Sequence, residues 1–161
     1  MQELPQTIII YSGNVNVVKK IDYGSVSFCV TDRDGSIIVP YGKYGWIDAF
    51  DHGFARVADQ LMNTEIDMKT GNERHSKWGL ITEKGEEVLP VMLDSIWNFK
   101  DKGLSYTRVK KSGCFMYFNF ITQNLEPIRP ILTPIILSPT QIASYAENAM
   151  KFVRGEIDKM D

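Results

Sequence analysis

The sequence predicts a mainly β fold, built from repeated antiparallel β-hairpins in a meander and followed by one C-terminal α-helix. Three observations carry this prediction. A segment of thirteen residues occurs three times, apolar residues flank a polar turn in each copy, and the apolar period becomes helical after residue 138. Repeats of this kind are typical of stacked supersecondary units. The chain of 161 residues suits one domain, which we place over residues 1–161.

The repeated segment has the pattern of a β-hairpin. Its copies are FCVTDRDGSIIVP at 28–40, WGLITEKGEEVLP at 78–90 and FMYFNFITQNLEP at 115–127. Each copy opens on an aromatic residue and reaches a proline twelve positions later, and the first two copies share a turn glycine, Gly35 and Gly85. Glycine accepts the positive φ that such a turn commonly needs, and the proline should end a strand because it has no N–H to donate.

The repeat continues beyond the proline. The segment KYGWIDAFDHGFARV, residues 43–57, contains an aliphatic residue, then a Phe and then a Gly. The next copy has Ile96, Phe99 and Gly103 in the same order. The residues at 18–20 read Val-Lys-Lys, as those at 109–111 do. We therefore divide the chain into these repeat units: 11–27 (partial), 28–76, 77–112 and 113–127 (partial).

This pattern resembles the WG-repeat (KWG-repeat) family. Lys77-Trp78-Gly79 is similar to its signature triplet, and residues 43–57 resemble its second half, within a likeness that covers roughly residues 11–127. The departures are Phe28-Cys29 and Phe115-Met116 in place of Trp-Gly, Thr122 in place of the turn glycine, and an insertion at 59–74. The resemblance implies repeated β-hairpins and a binding role, and it brings no catalytic residues with it.

The C-terminal part predicts a helix over residues 138–160. Ser138 is placed to cap it, with Pro139 at the first helical position and Gln141 closing a capping box. One face collects its apolar residues: Ile142, Tyr145, Ala149, Phe152, Val153 and Ile157. We expect this face to dock on a sheet, with partner binding as the alternative, and we expect Gly155 to weaken the last turns.

Composition excludes several classes of function. A net charge of −2 supplies no field that would attract nucleic acid, so we expect none to bind, although basic residues gather at 108–111 beside the aromatic residues Tyr106 and Phe115. No apolar run is long enough to cross a bilayer, and we expect a cytoplasmic protein that binds no membrane. Cys29 and Cys114 form no disulfide framework, and whether they pair is left open.

The residues suited to chemistry form no recognisable catalytic set. The segment 32–35 has the aspartates of a calcium loop without its remaining ligands, which favours a polar hairpin turn. His52 and His75 lie 23 residues apart, without a metal-binding spacing. We therefore expect no enzyme, cofactor or metal site. A hydrolase that uses His52 or His75 is the weakest of our hypotheses.

Aromatic residues in the loops are the best candidates for binding a partner. The candidates are Tyr41, Tyr44, Trp46, Trp97 and Tyr106. Phe50 and Phe99 recur at one repeat position and are expected in the core, whereas tyrosine and tryptophan dominate interface hot spots. We predict a non-catalytic module that binds another protein of unknown identity. An inhibitor of the immunity or antitoxin type would be one such module. The alternative is a protein that binds a glycan or peptidoglycan fragment, with Tyr41, Tyr44 and Trp46 stacking on sugar rings.

Overall fold

A computed structural model describes residues 6–59, 65–66, 73–74, 76–128 and 138–160. These residues form three four-stranded antiparallel sheets, one two-stranded pair and one α-helix. The prediction of a mainly β chain of repeated hairpins with a C-terminal helix is confirmed. In the described part of the chain, no helix is both long and apolar enough to cross a bilayer.

The three large sheets have the same strand order. Sheet 1 contains β1 (Gln6–Ser12), β2 (Val15–Asp22), β3 (Ser25–Asp32) and β4 (Ile37–Val39), in that order. Sheet 2 contains β5 (Trp46–Ile47), β6 (Phe54–Ala58), β9 (Trp78–Thr82) and β10 (Glu87–Leu93), and a separate pair joins β7 (Glu65–Ile66) to β8 (Glu73–Arg74). Sheet 3 contains β11 (Ser95–Ile96), β12 (Tyr106–Lys111), β13 (Cys114–Asn119) and β14 (Leu125–Pro127).

Strand register shows that the aromatic residue opening each sequence repeat occupies one structural position. Phe28 pairs with Lys19, Trp78 with Ala58, and Phe115 with Lys110. In every sheet this aromatic residue lies on the third strand. The sheets are therefore offset from the sequence units by two strands, because each sequence unit begins midway through a sheet.

The turn after the third strand is capped by a side chain that the sequence comparison overlooked. The Asp32 carboxylate accepts from the backbone N–H groups of residues 34 and 36, at 2.9 Å each. The Thr82 hydroxyl accepts from residues 84 and 86, and the Asn119 amide oxygen from residues 121 and 122. All three capping residues lie four positions after the opening aromatic residue. The prediction that segment 32–35 is a polar hairpin turn is confirmed.

The third turn differs from the other two in length. The Asp32 N–H donates to Ser36, four residues on, whereas the Asn119 N–H donates to Asn124, five residues on. The positive φ there falls on Gln123 (57°), so Thr122 does not replace the turn glycine as predicted. The first hairpin instead has a register shift at Val30/Thr31, and both arrangements preserve the twelve-residue spacing to the proline.

Gly79, the glycine of the signature triplet, is required for space. Its φ is not positive, unlike that of Gly85 (82°). A Cβ at residue 79 would lie 2.8 Å from the Leu89 carbonyl oxygen and 3.0 Å from the Val91 backbone nitrogen. Strand β10 thus passes too close for any side chain at this position. Cys29 and Met116 occupy the corresponding places in the other sheets.

The insertion lies where the other sheets have a two-residue turn. Tyr23-Gly24 joins β2 to β3, and Ser112-Gly113 joins β12 to β13, with positive φ at all four residues. Between β6 and β9 the chain instead leaves at Asp59, whose N–H donates to the carbonyl of Lys77 (3.1 Å). The paired strands β7 and β8 lie within this insertion.

The chain divides into two compact units, Met1–Val91 and Met92–Asp161, and the division falls inside predicted repeat unit 77–112. In the first unit, one apolar cluster draws on both sheets. Its buried members are Val15, Val17, Phe28, Val30, Val39, Tyr44, Ile47, Phe50, Ala55, Val57 and Ile81. In the second unit, Phe120 packs on Phe99 and Phe118, with ring centroids 4.7 and 5.9 Å away. Phe50 and Phe99 are both buried, as predicted.

The helix α1 (Pro139–Val153) begins as predicted and ends early. Ser138 and Gln141 form the reciprocal capping box, and α1 packs on β14. The predicted end at residue 160 is wrong because Gly155, at φ 78°, terminates the helix and its N–H donates to the Phe152 carbonyl. The Lys111 ammonium also donates to the carbonyls of Phe152 (2.6 Å) and Val153 (3.1 Å).

Candidate functional site

The outer side of sheet 3 carries a group of aromatic residues around one arginine. Strands β12 and β13 alternate, with Val109 and Met116 buried and the residues beside them turned outward. We define the aromatic face by five residues: Trp97, Tyr106, Arg108, Phe115 and Tyr117. Trp97, just after β11, is 56% exposed, while Tyr106 and Phe115 are 38% and 39% exposed.

The side chains of the aromatic face stack on one another. The guanidinium carbon of Arg108 lies 4.7 Å from the ring centroid of Trp97 and 3.9 Å from that of Phe115. The rings of Tyr106 and Tyr117 lie 4.7 Å apart at 50°. Each of these side chains is therefore in contact with another member of the face, and such contacts restrict side-chain rotation.

Backbone contacts fix Trp97 in place. Its N–H donates to the Arg108 carbonyl (2.9 Å), and its own carbonyl accepts from the hydroxyl of the buried Thr107 (2.8 Å). A groove of about 300 Å³ opens beside it. The lining residues include Leu104 and Lys102.

Positive charges lie in and beside the aromatic face, while the Glu126 carboxylate opposite Tyr117 accepts from the Asn119 amide. The guanidinium of Arg108 makes no hydrogen bond with the described residues, and its Nε is buried without a partner. The Lys110 ammonium lies 5.3 Å from the Phe115 ring centroid. Among the described residues, those that line the groove include Lys102 and Arg108 but no carboxylate. The face therefore combines apolar rings with positive charge.

Sheet 2 has a second arginine at the position of Arg108. Arg56 lies one residue before Val57, as Arg108 lies before Val109, and its guanidinium carbon is 4.6 Å from the Trp78 ring centroid. Its Nε donates to the Asp48 carboxylate at 2.6 Å. The other oxygen of that carboxylate accepts from the indole N–H of Trp46, also at 2.6 Å.

The five predicted partner-binding residues divide between the two units. Trp97 and Tyr106 both line the groove beside the aromatic face. Tyr44 is only 5% exposed and belongs to the apolar cluster of the first unit, so its predicted place at the surface is wrong. Trp46 is half-buried against Phe28, with ring centroids 5.1 Å apart. Tyr41 is exposed, with the Lys20 ammonium 5.5 Å from its ring centroid.

Three tyrosine hydroxyls have a raised pKa. Burial raises the pKa of Tyr44 far above its ordinary value, and the negative charge of Glu87 adds to the effect. Partial loss of water around its hydroxyl and the neighbouring thiol of Cys29 raise the pKa of Tyr41 to about 12. Burial and then the charge of Cys114 raise the pKa of Tyr145 to about 12. The shifts extend the pH range over which these three hydroxyls stay neutral to higher pH than for an ordinary tyrosine.

The residues considered for chemistry were His52, His75, Cys29 and Cys114. His52 lies in a turn at φ 57°, with its Nδ1 3.2 Å from the Asp51 carboxylate. His75 lies outside the described residues. Cys29 and Cys114 are free thiols. Among the described residues, no group of three His, Cys, Asp or Glu side chains is placed to hold a metal ion.

Sequence reasoning missed Tyr117, and it considered Arg108 and Phe115 only as part of a basic and aromatic cluster for nucleic acid, which was not expected to bind. A usable signal was present in the alternation of YTRVKK and CFMYFN, since alternate residues of paired strands share one side of a sheet. The contact of Trp97 with Arg108 depends on strand register.

Comparison with known proteins identifies the repeats. A family model described as "WG containing repeat" matches residues 32–58 and 78–113. These matches include the Gly35 turn, the Lys43 segment and the Trp78-Gly79 pair, which confirms the resemblance drawn from the sequence. No curated protein and no solved structure gives a significant match.

Proposed function

We propose that this WG-repeat chain is a non-catalytic module that binds another protein through the aromatic face of sheet 3. One observation carries the proposal: Trp97, Tyr106 and Phe115 are exposed together around Arg108. Surface clusters of large aromatic rings are unusual unless they meet a partner. Tryptophan, tyrosine and arginine are also the residues most enriched among interface hot spots.

Restricted rotation of the side chains in the aromatic face favours protein binding. Association carries an entropic penalty for every side chain that becomes fixed. At this face, Arg108 is already held between two rings, and the Trp97 backbone is hydrogen-bonded on both sides. A partner therefore meets side chains whose rotation is already restricted, and less of the contact energy is offset by ordering.

A single cognate partner is the finer form of this proposal. An inhibitor of the immunity or antitoxin type would form a stoichiometric complex with one protein. This step rests on analogy between small binding proteins, because a fold by itself does not define a function. The identity of the captured protein is the test.

The glycan alternative has less support. It requires Tyr41, Tyr44 and Trp46 to form a stacking platform, but Tyr44 is buried and the Trp46 indole N–H is engaged by Asp48. Unchanged glycan binding in a folded Trp46→Ala variant would remove the alternative entirely.

The test is capture of the partner with the tagged protein from its native lysate. We expect a near-stoichiometric protein that survives nuclease treatment. Trp97→Ala should weaken its binding about 30-fold, the effect of a typical hot spot. The control is Tyr23→Asn, which removes another exposed aromatic ring at a turn where asparagine tolerates the positive φ. A captured protein that Trp97→Ala retains would overturn the assignment of this face, and a nuclease-sensitive complex would overturn protein binding.

A further inference from the structure

Trp97 and Asp48 occupy equivalent positions in their sheets. The Trp97 N–H donates to the Arg108 carbonyl, and the Asp48 N–H donates to the Arg56 carbonyl, both at 2.9 Å. The preceding residues also correspond, because Ile96 pairs with Val109 as Ile47 pairs with Val57. The two arginines can therefore be compared directly.

The two arginines have different neighbours. In sheet 2 the guanidinium of Arg56 has an aromatic ring on one side and the Asp48 carboxylate bonded to its Nε. In sheet 3 the equivalent position holds a tryptophan, which supplies a second ring instead of a carboxylate. Among the described residues, Arg108 thus keeps the cation and its aromatic support but has no anion bound to it.

We propose that the aromatic face binds a carboxylate from an acidic side chain of the partner protein, held at the Arg108 guanidinium. Sheet 2 holds a carboxylate from its own chain at the corresponding arginine. This inference rests on the protein-binding function proposed above and specifies its chemistry. Because Nε is buried, the ligand would reach Arg108 through its two terminal nitrogens.

The surroundings favour a carboxylate within a polypeptide. A guanidinium presents paired N–H groups that match a carboxylate in two parallel hydrogen bonds. Lys102 adds a second positive charge to the groove, and Leu104 and Trp97 offer apolar contact to residues beside the acidic one. The net charge of −2 disfavours the long phosphate backbone of nucleic acid. An acidic residue flanked by apolar residues fits all of these features.

The direct test uses two acetylated, amidated tripeptides, Leu-Glu-Leu and Leu-Gln-Leu, as probes. Binding is followed through the Arg108 Nε–H resonance, assigned by its disappearance in Arg108→Lys. We expect saturable shifts with the glutamate peptide and binding about tenfold weaker or more with the glutamine peptide, since hydrogen bonds to charged groups are the stronger kind. Equal responses to the two peptides, no response to either, or a response to inorganic phosphate alone would overturn the inference.

The decisive variant is Trp97→Asp, which copies the arrangement of sheet 2. Its carboxylate should pair with the Arg108 guanidinium as Asp48 does with Arg56, cancel its positive charge and so abolish the peptide-induced shift, whereas Trp97→Ala should retain a shift because Arg108 keeps its charge unpaired. Arg154→Gln is the control, since it removes a guanidinium that lies outside the aromatic face. A peptide response that survives Trp97→Asp would contradict the proposed site.

The outcomes separate this inference from the proposed function. If the captured protein is lost with Trp97→Ala but retained by Arg108→Gln, protein binding at the aromatic face stands and carboxylate recognition is overturned. If the glutamate peptide binds at Arg108 but no protein is captured, the protein-binding function fails, and with it the assignment of the carboxylate to a protein.

Discussion

Replacing Gly79 with alanine tests why the signature glycine is present. A Cβ there would meet the Leu89 carbonyl oxygen at 2.8 Å, the Val91 Cγ2 at 2.9 Å and the Val91 nitrogen at 3.0 Å. Two of the three contacts are with backbone atoms of β10. Side-chain rotation cannot relieve them, so the strand itself must move.

The expected magnitude follows from two opposing terms. Overpacking a well-packed site destabilises by about 1–3 kcal/mol, and rigid backbone neighbours place this site near the upper end. Where no clash exists, exchanging glycine for alanine stabilises by about 0.4–1 kcal/mol through the unfolded chain. Gly79→Ala should therefore lower the free energy of unfolding by about 2 kcal/mol.

Urea unfolding of the Gly79→Ala protein measures this loss, and a double-mutant cycle with Val91→Ala separates its sources. Removing the Val91 side chain should restore only part of the stability, because the backbone contacts remain. A Gly79→Ala protein as stable as the wild type would refute the close-approach explanation. Full recovery with Val91→Ala would assign the clash to the valine side chain instead.

Three further predictions concern stability. Tyr44→Phe should make the free energy of unfolding less sensitive to alkali. Because the folded-state pKa of Tyr44 is raised, the stabilisation linked to its neutral hydroxyl is complete below pH 10 and is lost above it, by about 1.4 kcal/mol per pH unit. Urea titrations at pH 9 and pH 11 should show a smaller loss in the variant, and an identical loss would contradict this. Asp48→Asn should lower the free energy of unfolding by about 1.5–3 kcal/mol, since it replaces the charged acceptor bonded to the Arg56 Nε by a neutral amide, and a loss below about 0.5 kcal/mol would show that the charge of Asp48 is dispensable. Lys111→Met should destabilise the protein by about 1–2 kcal/mol by removing two hydrogen bonds to the end of α1, and helix content followed by circular dichroism should fall at a lower temperature than in the Lys110→Met control.

The hairpins could be predicted from the sequence because their signals are local. A turn glycine, a capping residue and flanking β-branched residues lie within one short segment, as at Gly35 and Gly85. The start of α1 was predictable for the same reason, since Ser138 and Gln141 are three residues apart. The sequence did not predict which strands share a sheet, because the turn at Tyr23-Gly24 has a weak sequence signal.

Burial and partnership depend on residues distant in the chain, and there prediction failed. Tyr44 follows a glycine-containing loop, which suggested exposure, yet its ring packs into an apolar cluster drawn from two sheets. The environment of Trp97 follows from strand register, which places it against Arg108. Local patterns could identify a tryptophan as a candidate, but they could not show that it replaces a carboxylate.

The insertion between β6 and β9 has a consequence for protein engineering. Two sheets close this connection with two residues, Tyr23-Gly24 and Ser112-Gly113, while sheet 2 accommodates a much longer segment between the same pair of strands. This connection is therefore a natural grafting point. A recognition loop or a reporter peptide could be spliced in at Ser112-Gly113 while the flanking strands keep their register, making the repeat a display scaffold with a separately adjustable loop in each sheet.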